Sequence, residues 1–307
     1  MSSVPGSLPC RLLCASNCAY AAIAGEAELD PNAAVPYYAG AGFLEPPAAF
    51  LAGDDQFNAC LVGRIAEGVV VAYRGTLPPD GTFTLAKLLD WVNDLNVEPE
   101  QEDDLPGRVH SGFLGSVESL WDAVRAEVER HLQRAPADAI LVVTGHSKGG
   151  GMAPLAARRF VAKKIVDAEH IKVVTFAAPK AGDAAFAADY NATIRDHARY
   201  EFAEDIVPHL PPSASFRTMF SALTFFKGRL AGLPTFDYER VGSLLYIDRA
   251  LEIDPEDDRR LPDRRRRIIS LILSGHVQQI IDDHRSACGF GYMSALCPFG
   301  VCPRPLG

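Results

Sequence analysis

The sequence predicts an α/β fold: a mostly parallel central sheet with helices on both faces. Three observations carry that reading. Short apolar runs of strand length recur along the chain, longer stretches with helical spacing lie between them, and the two kinds alternate. Residues 1–50, rich in alanine with scattered prolines, read as helical entry segments. Leu61 to Tyr73 contains the β-branched run GVVVAY, which stops at Arg74-Gly75-Thr76. After the polar turn Leu77 to Gly81, the stretch FTLAKLLDWVNDL has its apolar residues at helical spacing, and the acidic stretch Glu98 to Asp104 reads as a loop. Phe113 to Arg134 forms an amphipathic pattern, with Leu114, Val117, Leu120, Trp121, Val124 and Val128 on one side. Ala139 to Thr144 (AILVVT) is continuous and apolar, as a strand buried on both faces must be. An alanine-rich helix is expected from Gly151 to Lys164, a strand from Ile171 to Ala177, a helix from Ala184 to His197 and a strand from Ala198 to Ala203.

The stretch from about 216 to 274 differs in character. It combines an apolar patch around Met219 to Phe226 with the charge-dense Asp254 to Arg267, and Leu244 to Ile247 reads as a strand. We take it as an insertion within one domain spanning residues 1–307. Its run Arg264 to Arg267 is read as a solvated helix start. The net charge of -9 argues against a nucleic-acid partner, which needs a basic face, but leaves a local membrane contact open. The first thirty residues lack a signal-like apolar core, and no run reaches the ~18 residues of a membrane span, so the expectation is a cytoplasmic chain, at most peripheral to a membrane. The seven cysteines suggest no disulfide framework. Cys10, Cys14 and Cys18 share a helical face and, like Cys288, Cys297 and Cys302, read as buried small hydrophobes rather than a soft-metal site.

The chemistry concentrates in residues 139 to 150. Gly145-His146-Ser147-Lys148-Gly149 matches G-x-S-x-G between a buried strand and a helix, the context of a nucleophile elbow. Its glycines allow a turn too tight for side chains, which lifts the Ser147 hydroxyl clear of the sheet. The helix N-terminus behind it offers N–H groups and a positive dipole end to a developing oxyanion. A serine hydroxyl needs a base, and the base a carboxylate. In folds of this kind they follow in the order Ser, Asp or Glu, His. Asp205, between a strand and the Pro-bounded VPHLPP, is the best acid candidate, with Asp183 and Glu204 as alternatives. For the base, His197, His209, His276 and His284 all stand in range, and periodicity does not choose among them.

The motifs VVVAYRGT, DWVNDL, GRVHSGF, VVTGHSKGG, VVTFAAPKAGDAAFA and DIVPHLPP follow one another from Val69 to Pro212. In that order they resemble the class 3 lipases, the fungal-lipase-like branch of the α/β-hydrolases. The resemblance implies an α/β-hydrolase fold with Ser147 as nucleophile and Asp205 as its acid. It implies Thr76 as one oxyanion donor, the backbone N–H of Lys148 being the second. Asp283-His284, followed by Tyr292, is similar to the family's final D-H context, so His284 takes the base and His276 is the reserve. His110, His146 and Asp94 resemble positions that support structure, Asp94 as a partner to Arg74. Two departures stand out. Lys148 replaces an apolar residue and suggests an anionic substrate or a neighbouring acid. Residues 77–92 are longer than the family's short lid helix and apolar enough to be a lid.

The reading is a serine hydrolase cleaving lipid carboxylic esters, acylglycerol or phospholipid, through an acyl-enzyme. It needs no cofactor and no metal. An acyltransferase working through the same acyl-enzyme, or a silent lipid-binding module, are the alternatives.

Overall fold

The valine-rich stretch before Arg74 forms a hairpin in the computed structural model: β2 (Asn58–Ile65) runs antiparallel to β3 (Gly68–Tyr73). Described are residues 6–22, 29, 32, 35–53, 57–76, 99–136, 138–212, 237–255, 261–297 and 301–302. The expected lid, 77–92, lies outside them, as do Asp94 and much of the expected insertion. With β1 (Ala48–Ala52), β6 (Ile140–His146), β7 (Ile171–Phe176), β9 (His197–Phe202), β11 (Ser243–Ile247) and β12 (Ile253–Pro255), the hairpin builds an eight-stranded sheet ordered β1-β2-β3-β6-β7-β9-β11-β12. From β3 to β11 every neighbouring pair is parallel. β11, from the expected insertion, thus lies within this sheet.

Alternation within the all-apolar strands explains how both faces are covered. Val69, Val71, Leu141, Val143 and Val173 point toward α3 (Ser111–Leu132), α4 (Lys148–Ala162) and α5 (Ala184–Thr193). Val70, Ala72, Val142 and Val174 point the other way, toward α1 (Leu8–Cys18) and the C-terminal α8 (Gly291–Leu296). A strand with no polar side is what two helical layers require. The parallel register pairs Tyr73 with Gly145, His146 with Phe176, and Phe176 with Tyr200. Strand ends are therefore level, and the loops beginning at Arg74, Ser147 and Ala203 leave the sheet on one edge, where sheets of this kind assemble sites.

Three expectations need correction. The acidic stretch after Glu98 holds a strand, β4 (Pro99–Glu102), which pairs with β5 (Leu105–His110) in a small second sheet with β8 (Gly182–Asp183) and β10 (Tyr238–Glu239). Its acidity reflects an exposed edge, and Glu102 with Asp104 meets Arg159 of α4. The run Arg264 to Arg267 is a helix start but only partly solvated, with Arg266 and Arg267 exposed and Arg264 not. It opens α6 (Leu261–Leu273), where Arg264 is buried with its guanidinium on the carboxylate of fully buried Glu201, at 2.6 Å. Burial alone would raise Glu201, but Arg199, Arg264 and Arg240 outweigh it and hold the carboxyl down to about 2.

The third correction concerns the cysteines. Cys10 is bonded to Cys297 and Cys288 to Cys302, while Cys14 and Cys18 are free and buried as expected, and Cys60 is likewise free and buried. The sulfurs of Cys10, Cys14 and Cys297 lie within 4.8 Å of one another, but two of the three are spent in a bond and offer no thiolate to a metal. Disulfides persist in oxidising compartments, so the cytoplasmic expectation is overturned. Among the described residues no helix is long and apolar enough to cross a membrane.

The Cys10–Cys297 bond joins residues 287 positions apart and so closes nearly the whole chain. Replacing both by serine is expected to cost about 2–5 kcal/mol. Thermal unfolding with and without reductant checks this: reduction should lower the wild-type Tm by more than that of the double variant, which retains only the Cys288–Cys302 loop.

Candidate active site

The turn at the end of β6 is set by backbone contact. A Cβ on Gly145 would stand 2.3 Å from the Gly149 carbonyl carbon, and one on Gly149 would stand 2.1 Å from the Tyr73 carbonyl oxygen. Between them Ser147 is forced to φ 58° and ψ -127°, a conformation that costs a non-glycine residue about 1–3 kcal/mol. The Ser147 N–H is held by the Phe176 carbonyl at 3.0 Å, and α4 begins at the next residue. The turn therefore points a hydroxyl out of a rigid strand–helix junction.

That hydroxyl meets Nε2 of His284 at 2.9 Å. Nδ1 of the same ring lies 3.0 and 3.1 Å from the two oxygens of Asp205. A carboxylate only accepts, so Nδ1 carries the ring proton and Nε2 is left to accept from Ser147. All three groups are buried. Asp205 follows β9 and is fixed on every side: Tyr292 Oη donates to it at 2.8 Å and the Val207 N–H at 2.9 Å, while Tyr292 itself accepts the Phe202 N–H. His284 ends α7 (Val277–His284). Its carbonyl accepts from Nε2 of His146 at 2.8 Å. Burial, with His284 nearby, pushes His146 down to about 3, so its one N–H goes to that carbonyl and its Nδ1 accepts from Tyr20 Oη at 3.0 Å.

The other candidates are occupied elsewhere. His276 caps the start of α7 on the surface, with Ser274 Oγ at 2.8 Å. His197 lies between Thr175 and Tyr190, and His209 meets Arg240. Asp183 caps α5 through the Phe186 N–H, and Glu204 is paired with Arg249 and Arg267. His110 stacks on Phe113, and burial pushes it down to about 3.

Ser147 and His284 line a cavity of about 350 Å³, with Asn17, Tyr20, Tyr37, Thr76, Ala287 and Phe290 among its walls. The Thr76 hydroxyl is buried there with no hydrogen-bond partner among the described residues. The Lys148 N–H opens α4, where no carbonyl within the helix can reach it. The Lys148 amine turns away from the cavity toward Asn58 Oδ1 at 2.5 Å and the face of Phe57 at 4.2 Å, so the expected acid partner is not met among the described residues. Sequence reasoning missed the holding roles of Tyr20, Asn17 and Tyr292. Only Tyr292 carried a signal, through its spacing from His284.

Residues 70–215 match the model of the class 3 lipases. Over that segment the chain is similar to the class 3 lipases. A lipase of Caenorhabditis elegans is 30% identical over 151 residues, 49% of this chain and 40% of that protein. A Rhizomucor miehei lipase is 32% identical over 154 residues, 50% of this chain and 40% of that one. The match thus spans about two fifths of the length of these lipases. A Fusarium solani relative, 29% identical over 47% of this chain and 39% of its own, is named a secreted mono- and diacylglycerol lipase. That name, like the disulfides, runs against the cytoplasmic expectation. Among solved structures, a triacylglycerol lipase described as having a serine protease triad at its catalytic centre superposes with a TM-score of 0.64 at 21% identity, covering 93% of this chain and 95% of that one. A fungal lipase–inhibitor complex gives 0.57 at 23% identity, covering 85% and 86%. At these identities the likeness establishes the α/β-hydrolase fold.

Lys148 gives the chain a pH signature. Burial, and then the Arg74 guanidinium, push its ammonium from 10.5 down to about 7. Between those values the unfolded chain holds the extra proton, so stability rises with pH there, and the penalty is fully present below about 7. Lys148→Met is expected to be more stable than wild type at pH 6 by about 1–4 kcal/mol. The margin should shrink as pH rises. Urea unfolding at pH 6 and pH 10 measures it, and an equal margin at both would show that the amine is not depressed.

Proposed function

We propose that the chain is a serine hydrolase of lipid carboxylic esters, acylglycerol or phospholipid, working through an acyl-enzyme. The observation that carries the reading is the unbroken relay from Ser147 Oγ through the His284 ring to Asp205, opening on a cavity. Ser147 Oγ attacks the ester carbonyl while its proton passes to Nε2 of His284. Asp205 keeps the ring in the productive tautomer and stabilises the imidazolium that forms. Charge developing on the carbonyl oxygen is met by the backbone N–H of Lys148 and by Thr76, whose unpartnered hydroxyl supports that role. Each such donor is worth about 100- to 1000-fold in rate. The imidazolium then protonates the leaving alcohol, the acyl group stays on Ser147, and water activated by the same ring releases the acid. Loss of water from the cavity on substrate entry strengthens each of these contacts.

The cavity walls supplied by Tyr20, Tyr37, Ala287 and Phe290 suit an acyl chain, and its volume lies within the usual range of about 300–1,000 Å³ for a small-molecule site. A lipid surface is the partner this substrate class brings with it. The lipase names of the relatives point the same way.

Ser147→Ala and His284→Ala are each expected to lower kcat on p-nitrophenyl esters by at least about a thousandfold while leaving the fold unchanged by circular dichroism. Activity across acyl lengths, with and without a lipid dispersion, separates lipase from short-chain esterase. A folded wild type that cleaves no ester and takes no fluorophosphonate on Ser147 would refute the hydrolase reading. Transfer of the acyl group to added alcohol in preference to water would instead make the chain an acyltransferase.

A further inference from the structure

The two residues that precede Asp205 and His284 in the chain, Glu204 and Asp283, are both buried carboxylates, and both are gripped by one arginine. Arg249 Nη1 donates to Asp283 Oδ1 at 3.2 Å, and Nη2 donates to Asp283 Oδ2 at 2.6 Å and to Glu204 Oε2 at 2.5 Å. The Glu204 backbone is joined to the Asp283 side chain directly as well, since the Glu204 N–H donates to Asp283 Oδ2 at 3.1 Å. Arg267 closes the remaining oxygen of Glu204 at 2.6 Å but does not touch Asp283. Arg249 itself sits in a turn fixed after β11, where the carboxylate of Asp248 accepts the N–H groups of Ala250 and Glu252.

We infer that Arg249 is a positioning residue for the proposed hydrolysis: it clamps the end of the helix carrying His284 to the loop carrying Asp205, and so sets the His284–Asp205 contact. The clamp adds an ionic tie to the hydrogen bonds that hold each segment, joining the helix end to the loop through both neighbouring carboxylates. His284 is the last residue of an eight-residue helix, and Asp205 lies in an irregular loop between β9 and Val207. Asp283 without its partner would be a poor anchor, since burial already pushes its carboxyl up to about 6 against the pull of Arg249. Loss of the guanidinium would remove the bridge between the two segments, leaving the buried Asp283 carboxyl to take up a proton and Glu204 held by Arg267, so the two residues that carry the relay would no longer be tied through it. A misplacement of ~1 Å in such a relay costs about a hundredfold in rate. The Arg249 side chain is 47% exposed, so its replacement leaves the apolar core intact.

This inference rests on the hydrolase reading for its kinetic readout and has a second readout that does not. The variants are Arg249→Gln, Arg249→Lys, Arg267→Gln and Arg266→Gln, the last being a surface residue whose ion pair among the described residues is to Asp263. Arg249→Gln is expected to lower kcat on p-nitrophenyl esters tenfold to a hundredfold with KM within twofold. Arg249→Lys should recover a large part of that loss. Arg267→Gln removes the same charge from Glu204 without releasing Asp283 and should cost less than threefold, and Arg266→Gln nothing. In parallel, the downfield proton resonance of His284 Nδ1 should be sharp in the wild type, lost in Arg249→Gln and restored in Arg249→Lys. Equal losses for Arg249→Gln and Arg267→Gln would overturn the clamp in favour of simple charge balance. So would an Arg249→Gln variant with full kcat and an intact resonance. A wild type without esterase activity would strike the hydrolase reading alone, and the resonance would still decide the clamp.

Discussion

Everything in the site hangs on one close approach, that of the Gly149 backbone to the carbonyl of Tyr73. The contact leaves no room for a Cβ and fixes the first turn of α4 against the end of β3. Because β3, β6 and β7 are parallel and in register, the same contact fixes where Ser147 leaves the sheet relative to Thr76 on one side and Ala177 on the other. The backbone strain at Ser147 is tolerated because strand and helix on either side are each held by their own ladders and by two apolar layers. A side chain on a flexible loop would not be aimed so well.

The second theme is charge taken out of water. Glu201, Glu204, Asp205 and Asp283 are all buried around the end of β9. Each has named partners: three arginines around Glu201, two around Glu204, Arg249 on Asp283, and the Tyr292 hydroxyl with His284 on Asp205. A buried carboxylate without such partners takes up a proton instead. Asp205 is distinct in being met by neutral donors and one imidazole, with no arginine against it among the described residues. An arginine there would hold the carboxylate's charge for itself and weaken its hold on the His284 ring.

The third theme is closure of the chain on itself. The cavity's walls come from α1, near the N-terminus, and from residues 285–290, near the C-terminus. Asn17 donates to the Ser286 carbonyl at 2.8 Å and accepts from the Ser286 hydroxyl at 2.6 Å, so the two walls are tied beside the relay. The Cys10–Cys297 bond joins the same two regions, and Cys288–Cys302 holds the segment that follows His284. Ser286 and Cys288 flank Ala287 in the wall, so its shape is held by hydrogen bonds and a covalent link together.

The α/β class, the parallel strands and the Ser147 turn were all legible in the sequence, because each is a local matter. Unbroken apolar runs encode strands buried on both faces, and the two glycines around Ser147 encode a turn that side chains forbid. The position of Asp205 was legible for a related reason: it stands just after a strand, on the edge where sheets of this kind assemble sites. The histidine was not legible from periodicity. His276 and His284 sit at the two ends of one short helix, and only the packing of that helix turns the second toward Asp205, 79 residues earlier, and Ser147, 137 residues earlier. The buried Arg264, the edge strand at Pro99–Glu102 and both disulfides escaped for the same reason. An arginine run looks solvated until the carboxylate it covers is known, and an acidic stretch looks like a loop until a neighbouring strand pairs with it. Local sequence thus determined which elements form and where the Ser147 turn falls. Tertiary packing alone decided which distant charges, sulfurs and imidazole meet, because those contacts depend on three-dimensional proximity that no local period encodes.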